Sequence, residues 1–414
     1  MSDDRKTLLS WVERDKDRLV DFFSKFIQCK SPNPPGDTRE AMEHIKTFMD
    51  GEGLKYKIID PHNEYPNLVA SFDGAKTGRH LVLNGHIDVF PVAENDPWTY
   101  GPWSGAVADG KVWGRGSTDM KCGTTASIFT YYYLNQMREK LKGKLTLTCV
   151  SDEETFGPWG ARYLMEKHPE VHGDCCLNGE PSGLYTLRFG EKGPLWLKFT
   201  VRTRGAHGAY THMSESASKI AGKIIADLEV LTELDTPAPG NIGVLLETAA
   251  AAFDKAQGKG ASQIVQKITL NIGKIDGGLK VNMVPGECTF EADIRFPVGL
   301  QKERVIAEVE KIMKRYPQAK YEEMNFNPPA WCDPDGEMVG ILRSNAKELK
   351  GIVPEPIISL GGTDARLWRY LDIPAYVYGP PPRGMGSYDE YVELDEFFHI
   401  VRTHVLSAYD YMTK

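Results

Sequence analysis

The chain has no paired C-x-x-C. Its seven cysteines (Cys29, Cys122, Cys149, Cys175, Cys176, Cys288 and Cys332) are odd in number and scattered. This excludes a zinc-finger reading and fits reduced thiols in a cytoplasmic protein. There is no basic block: 49 Lys and Arg stand against 57 Asp and Glu, a net charge of −8. Nucleic acid and anionic membrane surfaces are therefore excluded as partners. No apolar run approaches the length of a membrane span, and the opening MSDDRKTLLSWVERDKDRL has no apolar leader core. Internal repeats and low-complexity tracts are missing too. What remains is an ordinary globular composition, 41% hydrophobic and 26% charged. At 414 residues, two domains are expected.

The pattern along the chain supports two textures. LLSWVERDKDRLVDFFSKFIQ reads as an amphipathic helix ended by SPNPPGD, and REAMEHIKTFMDGEG as a second. NLVASFDG and RHLVLNGHIDVFPV read as strands; residues 93–117, rich in Trp, Pro and Gly, as a long loop. A helix from about Cys122 to Arg138 then leads to the strand KLTLTCV. This alternation predicts an α/β layer with a mostly parallel sheet. From Gly193 the order becomes strand, helix, a loose insert, two strands, helix and short strand, the pattern of a small split-βαβ α+β domain. The α/β texture returns near Pro328. The expected organisation is a metal-binding catalytic domain of residues 1–192 and 328–414, with an inserted lid and dimerisation domain of residues 193–327.

LTLTCVSDEETFG carries a buried-looking strand straight into three carboxylates, Asp152, Glu153 and Glu154. A surface turn is one reading. The other is a metal site, in which a divalent cation neutralises adjacent carboxylates that otherwise repel. His86 and Asp88 close the strand LVLNGHIDV and share a face, as residues two apart in a strand do. Asp119 in WGRGSTDMKCG sits where an N-cap is also expected. Glu180 follows another strand, in CLNGEPSG. Each alone is weak. Together they fall at strand ends on one edge of a sheet, where open α/β folds hold their ligands.

The series NGHIDV, GRGSTDMKCG, SDEETFG, GEPSG, GAHGAYTH, NMVPG, DIRFP, GGTDAR and YDEYVELDEF resembles metallopeptidase family 20, which includes aminoacylase, succinyl-diaminopimelate desuccinylase and carboxypeptidase G. Asp119 lies 33 residues after His86, and Glu153 lies 34 after Asp119, which agrees with that family. The resemblance covers almost the whole chain. It implies an α/β zinc-peptidase-like catalytic domain with an inserted ferredoxin-like lid. It implies that His86 and Glu180 bind a first metal, that Asp119 bridges to a second, and that Glu154 binds the second. Glu153 becomes the general base and Asp88 the residue that orients His86. His207 polarises the scissile carbonyl, commonly from a neighbouring subunit. Asn282 and Arg295 meet a substrate carboxylate, and Gly362 and Thr363 form a substrate-binding turn.

One departure stands out. The family carries a His four residues before the Glu matching Glu390; this chain has Gly386 there, and no His between His212 and His399. One tightly held divalent ion, Mn or Zn with Co also compatible, is therefore expected on His86, Asp119 and Glu180. His399 and His404 are read as core or surface residues in preference to replacement ligands. Arg383, three residues before Gly386, is either a solvated charge or a fork for a substrate carboxylate.

The functional expectation is a metal-dependent hydrolase of a C–N bond in a small carboxylate-bearing substrate, working as a homodimer or higher oligomer through the lid. An aromatic aminohydrolase of the 5-nitroanthranilate type is the alternative, suited by one metal and by Trp331, Tyr378 and Tyr388. A third reading is an inactive relative kept for binding or scaffolding; retention of His86, Asp88, Glu153 and His207 argues against it.

Overall fold

The structure, a computed structural model, describes residues 2–414. Its centre is a nine-stranded sheet. The four middle strands, Lys142–Val150, Lys76–His86, Cys175–Asn178 and Ala375–Val377, run parallel. The flanks do not. Asn67–Asp73 and Lys57–Ile59 add antiparallel on one side, and Thr186–Glu191 adds antiparallel to Ala375–Val377 on the other. Glu355–Ser359 and Ala330–Trp331 then pair with Thr186–Glu191. The sheet is thus mixed: the four middle strands are parallel, and on one flank Glu355–Ser359 pairs parallel with Thr186–Glu191.

Helix Cys122–Gln136 is apolar or uncharged on every side and buried along almost its whole length, as a helix enclosed by other layers must be. It packs between the sheet and the helices Lys16–Gln28 and Leu394–Thr413. The single N-terminal helix expected from sequence is two, Asp3–Arg14 and Lys16–Gln28, separated at Asp15. Asp15 accepts from Arg14 Nε at 2.8 Å and from Tyr133 Oη at 3.2 Å, which fastens the corner.

A second, four-stranded antiparallel sheet forms the lid from Thr269–Gly277, Glu287–Phe296, Gly193–Arg202 and Ala319–Phe326. Alternation along Gly193–Arg202 turns Leu195, Leu197, Phe199 and Val201 onto helices Ala217–Leu228 and Lys302–Met313, making a separate apolar core. The segment read as a loose insert contains a 16-residue helix, Ile242–Gln257. Ile242, Leu246, Ala249 and Phe253 form one stripe along it and join the apolar core of the catalytic body, not that of the lid. Although it lies within 193–327, this helix covers the outer strand Glu355–Ser359 of the main sheet. Among the described residues, no helix is long and apolar enough to cross a membrane.

Three glycines let backbones interleave at the rim of the sheet. A β-carbon on Gly123 would lie 2.0 Å from the Gly179 carbonyl oxygen, and one on Gly379 would lie 2.2 Å from the same oxygen. The start of helix Cys122–Gln136, the turn before Glu180 and the segment after Ala375–Val377 are thereby pressed together. Gly123→Ala is expected to destabilise the protein by about 1–3 kcal/mol through overpacking. Gly222→Ala, at an exposed helix position with open space around it, is expected to stabilise by about 0.5–1 kcal/mol. Urea unfolding of the two variants checks both signs.

Candidate metal centre

His86 is the last residue of its strand and is buried. Its Nδ1 lies 2.9 Å from the Asp88 carbonyl oxygen, a contact that fits an Nδ1–H donor and leaves Nε2 free to ligate. Nε2 lies 3.2 Å from Asp119 Oδ1 and 3.1 Å from Glu180 Oε1. One donor atom from each of these three residues lies within 4.8 Å of the others. The Asp88 carboxylate is farther from Nδ1, at 3.6 Å, and has other partners. It accepts the amides of Glu153 and Glu154, at 3.2 and 3.1 Å, and Asn33 Nδ2 at 2.9 Å. Asp88 therefore meets His86 chiefly through its backbone, while its side chain sets the loop that carries Glu153 and Glu154.

Each ligand has its own support. Asp119 lies in the turn Ser117–Lys121 and does not cap the helix that follows. Glu390 holds that turn: its Oε1 accepts from the Thr118 amide at 2.8 Å, Thr118 Oγ1 at 2.9 Å and the Asp119 amide at 3.2 Å. Its Oε2 pairs with the buried Arg115 at 2.6 Å. The Glu180 amide donates to Asn178 Oδ1 at 2.8 Å, and Asn178 reaches across to Asn84 at 2.8 Å. The three consecutive carboxylates divide their work. Asp152 turns into its own loop, accepting from Thr155 Oγ1 and the Trp159 amide. Glu153 takes Arg366 Nη1 at 3.3 Å. Glu154 Oε1 is buried with no hydrogen-bond partner.

The electrostatics follow from this crowding. Burial pushes the Glu153 and Glu154 carboxyls well above the ordinary range; Asp364 and Glu180 add to this for Glu153, and Asp119 does so for Glu154. Burial, and then Asp119, raise Glu180 to about 8. Burial opposes the charge on His86, but Glu180, Asp119 and Asp88 together raise it well above its usual value. Burial likewise raises Asp119, yet hydrogen bonding and charge from His86 outweigh it and hold the carboxyl low. In the absence of a cation, the crowding thus favours the protonated forms of His86 and of the raised carboxyls together. One nitrogen and two carboxylate oxygens converging, with the unpartnered Glu154 carboxylate feeling the charge of Asp119 and His86, fit a divalent cation. Gly386 offers no side chain, and a β-carbon there would touch nothing within 4 Å.

The other expected site residues are placed as follows. His207 and Asn282 are neighbours in the lid, the Gly208 amide donating to the Asn282 carbonyl at 2.7 Å. His207 is exposed; its Nδ1 accepts from the Ala209 amide at 3.2 Å, and among the described residues it has no hydrogen bond to His86, Asp119 or Glu180. Arg295 Nε is 2.8 Å from Asp293, which also accepts from Trp196 Nε1 at 3.0 Å. Trp196 faces Phe156, with ring centres 5.7 Å apart, and Arg366 lies over the other ring, 4.6 Å from its centre. Gly362 sits against that ring, and Thr363 gives its amide and hydroxyl to Glu191, each at 2.8 Å. Arg383 is engaged by both oxygens of Glu396 on the closing helix, Nη2 at 2.8 Å from Oε1, so it is neither freely solvated nor open to a second carboxylate while that pair holds. His399 and His404 are core residues, both bonded to Tyr378 and lowered by burial to about 4. Arg188, Glu191, Asp364, Arg366 and Arg369 escaped the sequence reading. The run GGTDAR contained two of them beside Gly362 and Thr363, and only its charged tail signalled them.

Residues 82–409 match the family described as Peptidase family M20/M25/M40. Succinyl-diaminopimelate desuccinylase of Cereibacter sphaeroides is 26% identical over 397 residues, covering 93% of this chain and 96% of that relative. Among solved structures, a dipeptidase from Saccharomyces cerevisiae aligns with TM-score 0.82 at 15% identity over all of both chains. An M20 family metallo-carboxypeptidase from Sulfolobus solfataricus aligns with TM-score 0.80 at 18% identity over 99% of each. The two structures show the shared fold.

A cation entering this cluster must displace the protons on His86 and Glu180. Titration of Mn²⁺ into the metal-free protein at pH 7, in two buffers of different ionisation enthalpy, is expected to show proton release. Affinity should rise with pH through about 8, where Glu180 loses its proton, the raised His86 extending the rise in the same direction, and fall as pH drops. Glu390→Ala leaves Arg115 buried without its partner and is expected to cost about 3–5 kcal/mol in denaturant unfolding, together with weaker Mn²⁺ uptake as the Asp119 turn loosens.

Proposed function

The chain belongs to peptidase family M20/M25/M40, whose members hydrolyse amide and peptide C–N bonds, and on that premise we propose that it hydrolyses an amide of a small carboxylate-bearing substrate. One observation carries this reading: His86, Asp119 and Glu180 bring ligand atoms within 4.8 Å of one another, and Arg366 reaches Glu153 beside them. A divalent ion held there by His86, Asp119 and Glu180, with Glu154 in reach of the same cluster, supplies Lewis-acid activation of water and carbonyl. Glu153 takes the proton of the attacking water and returns it to the leaving amine. Its raised proton affinity in the metal-free protein suits a group that must carry a proton between two partners. Arg366 fixes one oxygen of Glu153, and Asp88 fixes its backbone amide.

The lid completes the site in this reading. His207 and Asn282 lie together on its rim, and closure of the lid, or a second copy of the chain, would bring His207 to the scissile carbonyl. Arg295, released from Asp293, is the lid's candidate for a substrate carboxylate, and the Gly362–Thr363 turn lines the opposite wall. A homodimer through the lid and a cytoplasmic setting belong to the same reading, the latter supported by seven unpaired cysteines. Gly386 favours one firmly bound ion over two. That observation also keeps an aryl-amine substrate of the nitroanthranilate type as a second reading.

Turnover of N-succinyl, N-acetyl and dipeptide substrates and of 5-nitroanthranilate by Mn²⁺- or Zn²⁺-loaded protein separates the two. Amide cleavage supports the first, ring deamination the second, and no turnover of any supports a binding role. Glu153→Gln is expected to lower turnover at least about 10²-fold with metal content, read by elemental analysis, unchanged.

A further inference from the structure

Most of the arginines near the candidate site or proposed for substrate are already committed to the protein's own carboxylates. Arg115 pairs with Glu390 at 2.6 Å, Arg366 with Glu153 at 3.3 Å and Arg369 with Glu191 at 2.9 Å. Arg295 is held by Asp293 and Arg383 by Glu396. Arg188 differs. It is 5% exposed, forms no ion pair or side-chain hydrogen bond among the described residues, and keeps a fully buried Nε without a partner. A guanidinium taken out of water and left unpaired is costly, so an unmatched one at a site calls for a ligand.

Its placement follows from the sheet. Arg188 stands opposite Val377, and Val377 stands opposite Asn178, so the three form a row across neighbouring strands. Glu180 follows Asn178 by two residues and donates its amide back to it. Leu187 and Phe189 on either side enter the apolar core. A register shift against Glu355–Ser359 between Arg188 and Gly190 leaves Phe189 as an extra residue, and such bulges re-aim neighbouring side chains. Glu180, Glu191 and Asp119 are the opposite charges that act on Arg188, none of them in an ion pair with it, and Arg188 in turn lowers Glu180 and Asp119. Arg188 therefore lies within electrostatic reach of two of the three candidate ligands.

We propose that Arg188 is the anchor for a substrate carboxylate lying beside the scissile C–N bond. A planar fork matches a carboxylate bidentately, and its place next to the candidate metal ligands leaves little distance between the anchored acid and the reacting carbon. The substrate class is a compact acid whose carboxylate is within one or two carbons of the bond cut, as in an N-acyl amino acid, in preference to a long molecule with its acid at the far end. This rests on the hydrolase reading and sharpens its substrate class.

The test is calorimetric binding to full-length Glu153→Gln protein loaded with Mn²⁺, which removes turnover from the readout. The probes are N-acetyl-L-leucine, N-succinylglycine and 5-nitroanthranilate, each beside its neutral carboxamide. Adding Arg188→Met is expected to weaken the acids about 10- to 100-fold, the loss of a charged hydrogen-bonded pair, and to leave the amides unchanged; Arg188→Lys should fall between. Equal acid affinity with and without Arg188→Met overturns the proposal, as does a parent protein that prefers no acid to its amide. Loss of Mn²⁺ in Arg188→Met also overturns it, because Arg188 is then a counter-charge to the ligands. Acid binding that depends on Arg188, with no turnover of the substrate panel by the Mn²⁺-loaded protein that retains Glu153, sinks the hydrolase reading and leaves the anchor standing.

Discussion

The decisive constraint in this protein is the concentration of negative charge around one imidazole. His86 Nε2 meets Asp119 and Glu180, while Glu153 and Glu154 stand close by, all at the edge of a buried sheet. Without a cation, the cluster balances only by keeping protons on groups that normally lose them. The direction of every shift in the cluster follows: Glu153, Glu154 and Glu180 rise, and His86 rises against its own burial. A divalent ion bound there would replace those protons with a charge that needs no desolvated acid.

The fold spends much of its buried polar chemistry on holding that cluster together. The Glu390–Arg115 pair carries the Asp119 turn, and the Asp88 carboxylate carries the amides of Glu153 and Glu154. An amide ladder through Asn84 and Asn178 aligns the strand that leads to Glu180. Close backbone approach at Gly123, Gly179 and Gly379 brings these supports within reach of one another. None of these groups needs to touch a substrate; their effect is to remove the freedom of the ones that do.

Charge pairing also separates the arginines from one another. Arg383 looked free on the linear chain because Glu396 lies thirteen residues away, but one turn and the start of the closing helix bring the two into a bidentate pair. Arg188 looked like an ordinary strand residue, and is the buried guanidinium left without a partner. The Trp196–Phe156–Arg366 stack joins the lid sheet to the neighbourhood of Glu153, so lid position and the candidate base are in mechanical contact.

The residue types of the candidate cluster were legible in the linear chain: His86, the Glu153–Glu154 pair and Glu180 follow strand-like runs of the main sheet, whereas Asp119 reaches the same rim from the turn Ser117–Lys121, and it was the family resemblance that suggested a ligand role for it. The split between the α/β body and the α+β lid was legible for the same reason: alternation and helical periodicity are local. Four things were decided only in three dimensions. The flanks of the main sheet turn antiparallel, helix Ile242–Gln257 leaves the lid for the body, Arg383 is taken by Glu396, and Arg188 is left unpaired. Each depends on which side chains meet across long stretches of chain, and local sequence carries no record of a partner that folding brings from elsewhere.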